Sequence, residues 1–93
     1  MALTTLAAGL LSLLAAASDS TFTVGTARAS RGQTATGFLE VPAGVDAGTS
    51  IPVAVVHGAR PGPVLAIVSG AHGTEYASII AVEKLMATLD AKQ

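Results

Sequence analysis

The most telling stretch of this sequence is Val64-Leu65-Ala66-Ile67-Val68-Ser69-Gly70-Ala71-His72-Gly73-Thr74-Glu75, together with the run that follows as far as Asp90. Residues 64–69 (VLAIVS) are continuously apolar and rich in β-branched side chains, the pattern of a strand covered on both faces. Gly70-Ala71-His72-Gly73-Thr74 interrupts the run and reads as a loop. From about Glu75 to Asp90 the period becomes helical. On a wheel of ~100° per residue, Ile79, Val82, Leu85, Met86 and Leu89 fall within roughly 120°, with Glu83, Lys84 and Thr88 outside the arc. Thr74 is placed as N-cap and Glu75 in the first turn, where a carboxylate suits the helix dipole. A buried strand, a loop and an amphipathic helix make half of a crossover unit, and such a helix normally delivers the chain to another parallel strand.

Upstream, residues 51–57 (IPVAVVH) form a strand candidate with Ile51, Val53 and Val55 on one face. Pro52 has no N–H and so belongs at the strand's start or on an edge. Gly58-Ala59-Arg60-Pro61-Gly62-Pro63 joins this strand to residues 64–69 as a tight, stiff connection. Residues 34–41 form a further strand, with Phe38 and Glu40 on one face and Leu39 and Val41 on the other. Pro42 stops it, and the turn formers Gly44, Asp46 and Gly48 follow. Residues 20–24 alternate Thr with apolar residues and make a short strand. Residues 25–33, small and polar with Arg28 and Arg31, read as a turn or loop. The expected architecture is α/β: three strands, then the buried strand, a loop and the helix.

Composition narrows the function. Five Lys+Arg against six Asp+Glu, widely spread, give a formal net charge of −1 and no basic patch for nucleic acid. A hydrophobic fraction of 51% excludes disorder. The chain has no Cys, which removes disulfides, zinc fingers, iron–sulfur sites and thiol catalysis. Its 93 residues allow one small domain. Residues 1–17 carry no charged side chain and are nearly all Leu and Ala. The run is shorter than the ~20 apolar residues of a spanning helix. It ends in Ala15-Ala16-Ala17 before the polar Ser18-Asp19-Ser20, which reads as a secretory signal cleaved after Ala17, with export to a periplasm or the medium. Its n-region lacks Lys and Arg. A buried helix or an uncleaved anchor is the alternative. After processing, residues 18–93 carry no stable membrane span.

Ligand sites in open α/β sheets lie at the carboxyl ends of strands, and here that end carries His72 and Glu75. Three residues apart on a loop entering a helix, the two side chains can turn to one point. An imidazole nitrogen with a carboxylate oxygen suits Zn²⁺. Gly70 and Gly73 flank the His and allow a tight turn and a close approach by a ligand. The plainer alternative is that Glu75 is a helix-start carboxylate and His72 a polar loop residue.

The segment GAHGTEYASI after VLAIVS resembles the metal-binding segment of the succinylglutamate desuccinylase/aspartoacylase family, zinc hydrolases related to the zinc carboxypeptidases. The upstream strand IPVAVVHG and the PGP turn agree with it, so that the resemblance spans about residues 22–89, most specifically in G-x-H-G-x-E. It implies the N-terminal part of a zinc-carboxypeptidase-like mixed sheet, with His72 and Glu75 as metal ligands and Zn²⁺ as cofactor. It also implies hydrolysis of an acyl amide or ester bond in a small acylated amino-acid-like substrate. The family's third ligand, a distant His, has no counterpart after His72. Neither has its downstream Glu, the general base, nor its substrate-binding Arg. Residues 18–93 are therefore expected to be an incomplete N-terminal portion of the catalytic domain, with the base beyond Gln93. The chain by itself would be inactive, and self-association would cover the exposed strand. The rival reading is a non-catalytic product, either truncated or an exported binding module on the same scaffold.

Other candidates carry less. His57 ends its strand and reads as structural, although a third ligand from here would complete the site within the chain. Arg60 has the chemistry to hold a carboxylate, but its place between Gly and Pro in a turn points it to solvent. Glu40 reads as an outward polar residue. Ser69 lacks the G-x-S-x-G elbow of a serine hydrolase, and no Gly-rich stretch runs into G-K-[S/T].

Overall fold

A computed structural model describes residues 20–93; the proposed signal, residues 1–17, lies outside the described residues. The described residues hold four strands, β1 (Thr21–Val24), β2 (Ala27–Ser30), β3 (Gln33–Val41) and β4 (Thr49–His57), followed by one helix, α1 (Tyr76–Thr88). They form two antiparallel two-stranded sheets, β1–β2 and β3–β4. The chain is thus a small mixed fold of strands and a helix. No parallel pairing occurs among the described residues.

The first hairpin turns at Gly25-Thr26 between the paired Val24 and Ala27. Gly25 has φ +56, the sign that the first central residue of a type II′ hairpin turn requires. Arg31 and Gly32 then form a corner between the two sheets. The Arg31 N–H donates to Ser20 C=O at 2.9 Å, extending the first ladder, and the Gly32 N–H donates at 2.7 Å to the C=O of His57, the ladder partner of Gln33. Gly32, at φ +76, makes that change of direction without a Cβ penalty.

The tip of the first hairpin rests on β3. Thr26 N–H donates to Phe38 C=O at 3.0 Å, and Phe38 N–H donates to Thr26 Oγ1 at 2.8 Å. Both backbone groups of Phe38 therefore point away from β4, so its pairing with Pro52 is a non-hydrogen-bonded one. The missing N–H of Pro52 falls on the outer edge of β4, where it costs no ladder bond. Gly37 permits the close approach: a Cβ there would lie 2.5 Å from the Ala27 nitrogen and from Thr26 Oγ1. Between the hairpins sits a core of Ala27, Ala29 and Val55, with Val24, Ala35 and Val53 packed around it. Of the face expected for β4, Val55 is buried and Val53 half-buried, while Ile51 is 49% exposed.

Two expectations require correction. Residues 25–33 are not simply a loop, since Ala27–Ser30 is a strand whose Ala27 and Ala29 are buried. Residues 64–69 are not a buried strand. No backbone ladder includes them, and Leu65 and Val68 are 81% and 86% exposed. An apolar sequence supplies extended preference, but a strand needs a neighbour for its N–H and C=O groups and layers on both faces. Among the described residues nothing provides these.

The helix is also shorter than the expected span from Glu75 to Asp90. Its half-buried residues are Ser78, Val82 and Met86, at i, i+4 and i+8 within the expected arc, and none of its residues is fully buried. An open, largely apolar groove of about 990 Å³ separates β4 from α1 and residues 64–69. Beyond α1 the chain returns to the connection after β4. Ala59 N–H donates to Ala91 C=O at 2.8 Å, Ala91 is buried, and Arg60 donates twice to the Gln93 main-chain oxygen at 3.0 and 2.8 Å. The chain after the helix is therefore tied to residues 59–60, at the end of β4. No helix among the described residues is long and apolar enough to cross a membrane.

Candidate metal centre

Residues 70–75 connect the extended segment to α1. Gly70 has φ +68, and a Cβ on it would sit 2.8 Å from both Cγ1 and Cδ1 of Ile79. Glycine is thus favoured by the backbone sign, and any Cβ would also force Ile79 to shift. Gly73 has neither requirement: nothing lies within 4 Å of its virtual Cβ. The turn closes through Glu75 N–H, which donates to His72 C=O at 3.3 Å.

This turn brings the two expected metal ligands together. His72 Nδ1 lies 2.8 Å from Glu75 Oε1. A carboxylate oxygen accepts, so the imidazole carries its proton on Nδ1 and donates it. Both side chains are open to solvent, His72 at 82% and Glu75 at 47% exposure. The local consequence is visible in the helix cap. Glu75 occupies the N-cap position and makes no side-chain capping bond, because its carboxylate is turned to His72. Thr74 is not the cap.

The pair fits zinc in donor type and in convergence. Nitrogen and oxygen donors sit ~2.0–2.2 Å from Zn²⁺, so two members of one tetrahedral shell lie ~3.3 Å apart. A metal held between the two, with the ring proton moved to Nε2, would open the observed pair by only about 0.5 Å on that geometry. The donor count is two: among the described residues no group of three or more His, Cys, Asp or Glu is arranged to hold a metal.

His57 stands elsewhere in the chemistry. Its Nδ1 donates to Ala29 C=O at 3.1 Å, and its ring packs against Phe22 with centroids 6.2 Å apart. It ties β4 to the first hairpin, as a structural residue does. Arg60 is engaged by Gln93, and Glu40 accepts from Ser50 Oγ at 2.6 Å across the β3–β4 ladder. Ser78 is the residue that sequence reasoning passed over. Its Oγ donates to Glu75 C=O at 2.9 Å and accepts from Gly70 N–H at 3.2 Å. A Ser three residues into a helix start is too common a signal to single out; only the closed loop gives it meaning.

No family model, curated protein or solved structure matches this chain.

Proposed function

We propose that this chain carries the metal-binding loop of a zinc-dependent hydrolase of the succinylglutamate desuccinylase/aspartoacylase type, acting on an acyl amide or ester bond of a small acylated amino acid. One observation carries the reading: His72 Nδ1 and Glu75 Oε1 converge to 2.8 Å on an exposed loop between an apolar extended segment and a helix. The motif G-x-H-G-x-E supports it from the sequence side.

In this reading His72 and Glu75 are two protein ligands of Zn²⁺. When bound, the metal supplies Lewis acidity toward a carbonyl oxygen and toward water. The chain's own contribution is geometric. The Gly70 turn and the first turn of α1 hold an imidazole and a carboxylate at one point, and ligation through Nδ1 would require the ring proton now on Nδ1 to move to Nε2. Catalytic zinc sites use three protein ligands and leave one position open, so the full centre draws a further donor and a general base from outside this loop.

Titration of tag-free protein with Zn²⁺, followed by NMR of the two histidine rings, tests the assignment. We expect weak saturable binding with shifts at His72 and none at His57, abolished by His72→Ala and by Glu75→Ala. Undiminished zinc binding by His72→Ala ends the reading. The two-donor count favours a second reading, a non-catalytic binding module on the same scaffold. Turnover of N-acyl amino acids by a zinc-loaded protein containing this segment separates the two.

A further inference from the structure

Ser78 lies in the first turn of α1, half-buried, with its hydroxyl between the two ends of the His72 loop. Gly70 is where the chain leaves the extended segment, and Glu75 is where it enters the helix. The Ser78 hydroxyl donates its one proton to Glu75 C=O at 2.9 Å and accepts the Gly70 N–H at 3.2 Å. One side chain therefore closes the ring of residues 70–75, within which His72 and Glu75 meet. One further bond lies within the ring, from Glu75 N–H to His72 C=O at 3.3 Å.

Resting on the zinc reading, we propose that Ser78 is the positioning residue of this metal centre. It fixes the separation of the segment end from the helix start, and so holds Nδ1 of His72 and Oε1 of Glu75 on one point before a metal arrives. Without the hydroxyl, Gly70 N–H and Glu75 C=O turn to water, the loop widens, and the two donors separate. Partners that orient metal ligands are worth about 10- to 100-fold in metal affinity.

The test compares the tag-free wild-type chain with Ser78→Ala, Ser78→Thr and His72→Ala. Thr keeps a hydroxyl that can reach a carbonyl one turn back. Without metal, long-range ¹H–¹⁵N spectra report the His72 tautomer, and amide exchange reports the Gly70 N–H. We expect Nδ1–H and a protected Gly70 amide in wild type and Ser78→Thr. In Ser78→Ala we expect a mixed tautomer and exchange about tenfold faster at Gly70, with other β-sheet amides unchanged. With Zn²⁺, calorimetry is expected to give binding about 10- to 100-fold weaker in Ser78→Ala, restored in Ser78→Thr. A wild-type tautomer and wild-type Gly70 protection in Ser78→Ala overturn the proposal. So does failure of Ser78→Thr to restore them, which also decides the matter should Ser78→Ala not fold. If wild type binds zinc no better than His72→Ala, the zinc reading falls. The metal-free spectra still decide whether Ser78 positions the pair.

Discussion

Replacing Gly70 by alanine separates the two glycines that flank His72, which look equivalent in sequence and are not in space. Gly70 has φ +68, and an L-residue held in the left-handed region costs about 1–2 kcal/mol. A methyl group there also meets Cγ1 and Cδ1 of Ile79 at 2.8 Å. Ile79 is 38% exposed and can rotate aside, adding about 0.5–1.5 kcal/mol for an unfavourable rotamer. The alternative, relaxing φ to a negative value, swings the Gly70 N–H off Ser78 Oγ and forfeits about 1 kcal/mol for the bond. The first route costs about 2 kcal/mol or more and the second about 1 kcal/mol, so the closed loop loses about 1–2 kcal/mol, equivalent to about 5- to 30-fold in its population. Gly73→Ala is the control: its φ is not positive and nothing lies within 4 Å of the added carbon. We expect Gly70→Ala to lose the His72–Glu75 hydrogen bond in the NMR spectra and to weaken zinc binding by about that factor, with Gly73→Ala close to wild type. Equal effects at the two positions, or none at Gly70, would refute the reasoning.

The other expectations concern the scaffold and the whole chain. Gly37→Ala drives a Cβ to 2.5 Å from the Ala27 nitrogen, a backbone clash that lifts the first hairpin from β3. We expect a loss of about 2–4 kcal/mol in urea unfolding from overpacking and two broken hydrogen bonds, against no change for Gly44→Ala, whose surroundings are empty. His57→Ala should lower stability through loss of its bond to Ala29 C=O and its contact with Phe22, while zinc affinity stays at the wild-type value by calorimetry. N-terminal sequencing of the exported product should begin at Ser18, and an intact Met1 on soluble cytoplasmic protein would refute the signal. With Leu65 and Val68 exposed at 81% and 86%, we expect sedimentation to detect association that rises with concentration and falls in Leu65→Lys/Val68→Lys; monomers at all concentrations would count against it.

Local pattern and tertiary contact divide the chain between them. Alternation in residues 34–41 and 51–57, with Pro42 and the Gly/Asp cluster between them, was enough to place β3 and β4, because a period of two is written into each strand separately; that they pair antiparallel is a tertiary fact. A period of 3.6 placed α1 for the same reason, but of its expected apolar arc only Val82 and Met86 are half-buried, while Ile79, Leu85 and Leu89 are exposed. The spacing of His72 and Glu75 pointed to their convergence, since three residues span a single turn. β2 was not legible: Ala27 and Ala29 have low strand propensity, and they are strand residues only because β1 pairs with them and Val55 covers them. The Arg31–Gly32 corner is invisible locally, as it depends on which strand receives each N–H, Ser20 on one side and His57 on the other. Residues 64–69 show the converse. Their apolar, β-branched sequence states a preference for extended backbone, but a ladder is a property of two strands, and no second strand lies beside them among the described residues. The difference between Gly70 and Gly73, and the role of Ser78, likewise arise only when the loop closes on the helix. They are set by where the first turn of α1 stands, a distance that no local pattern encodes.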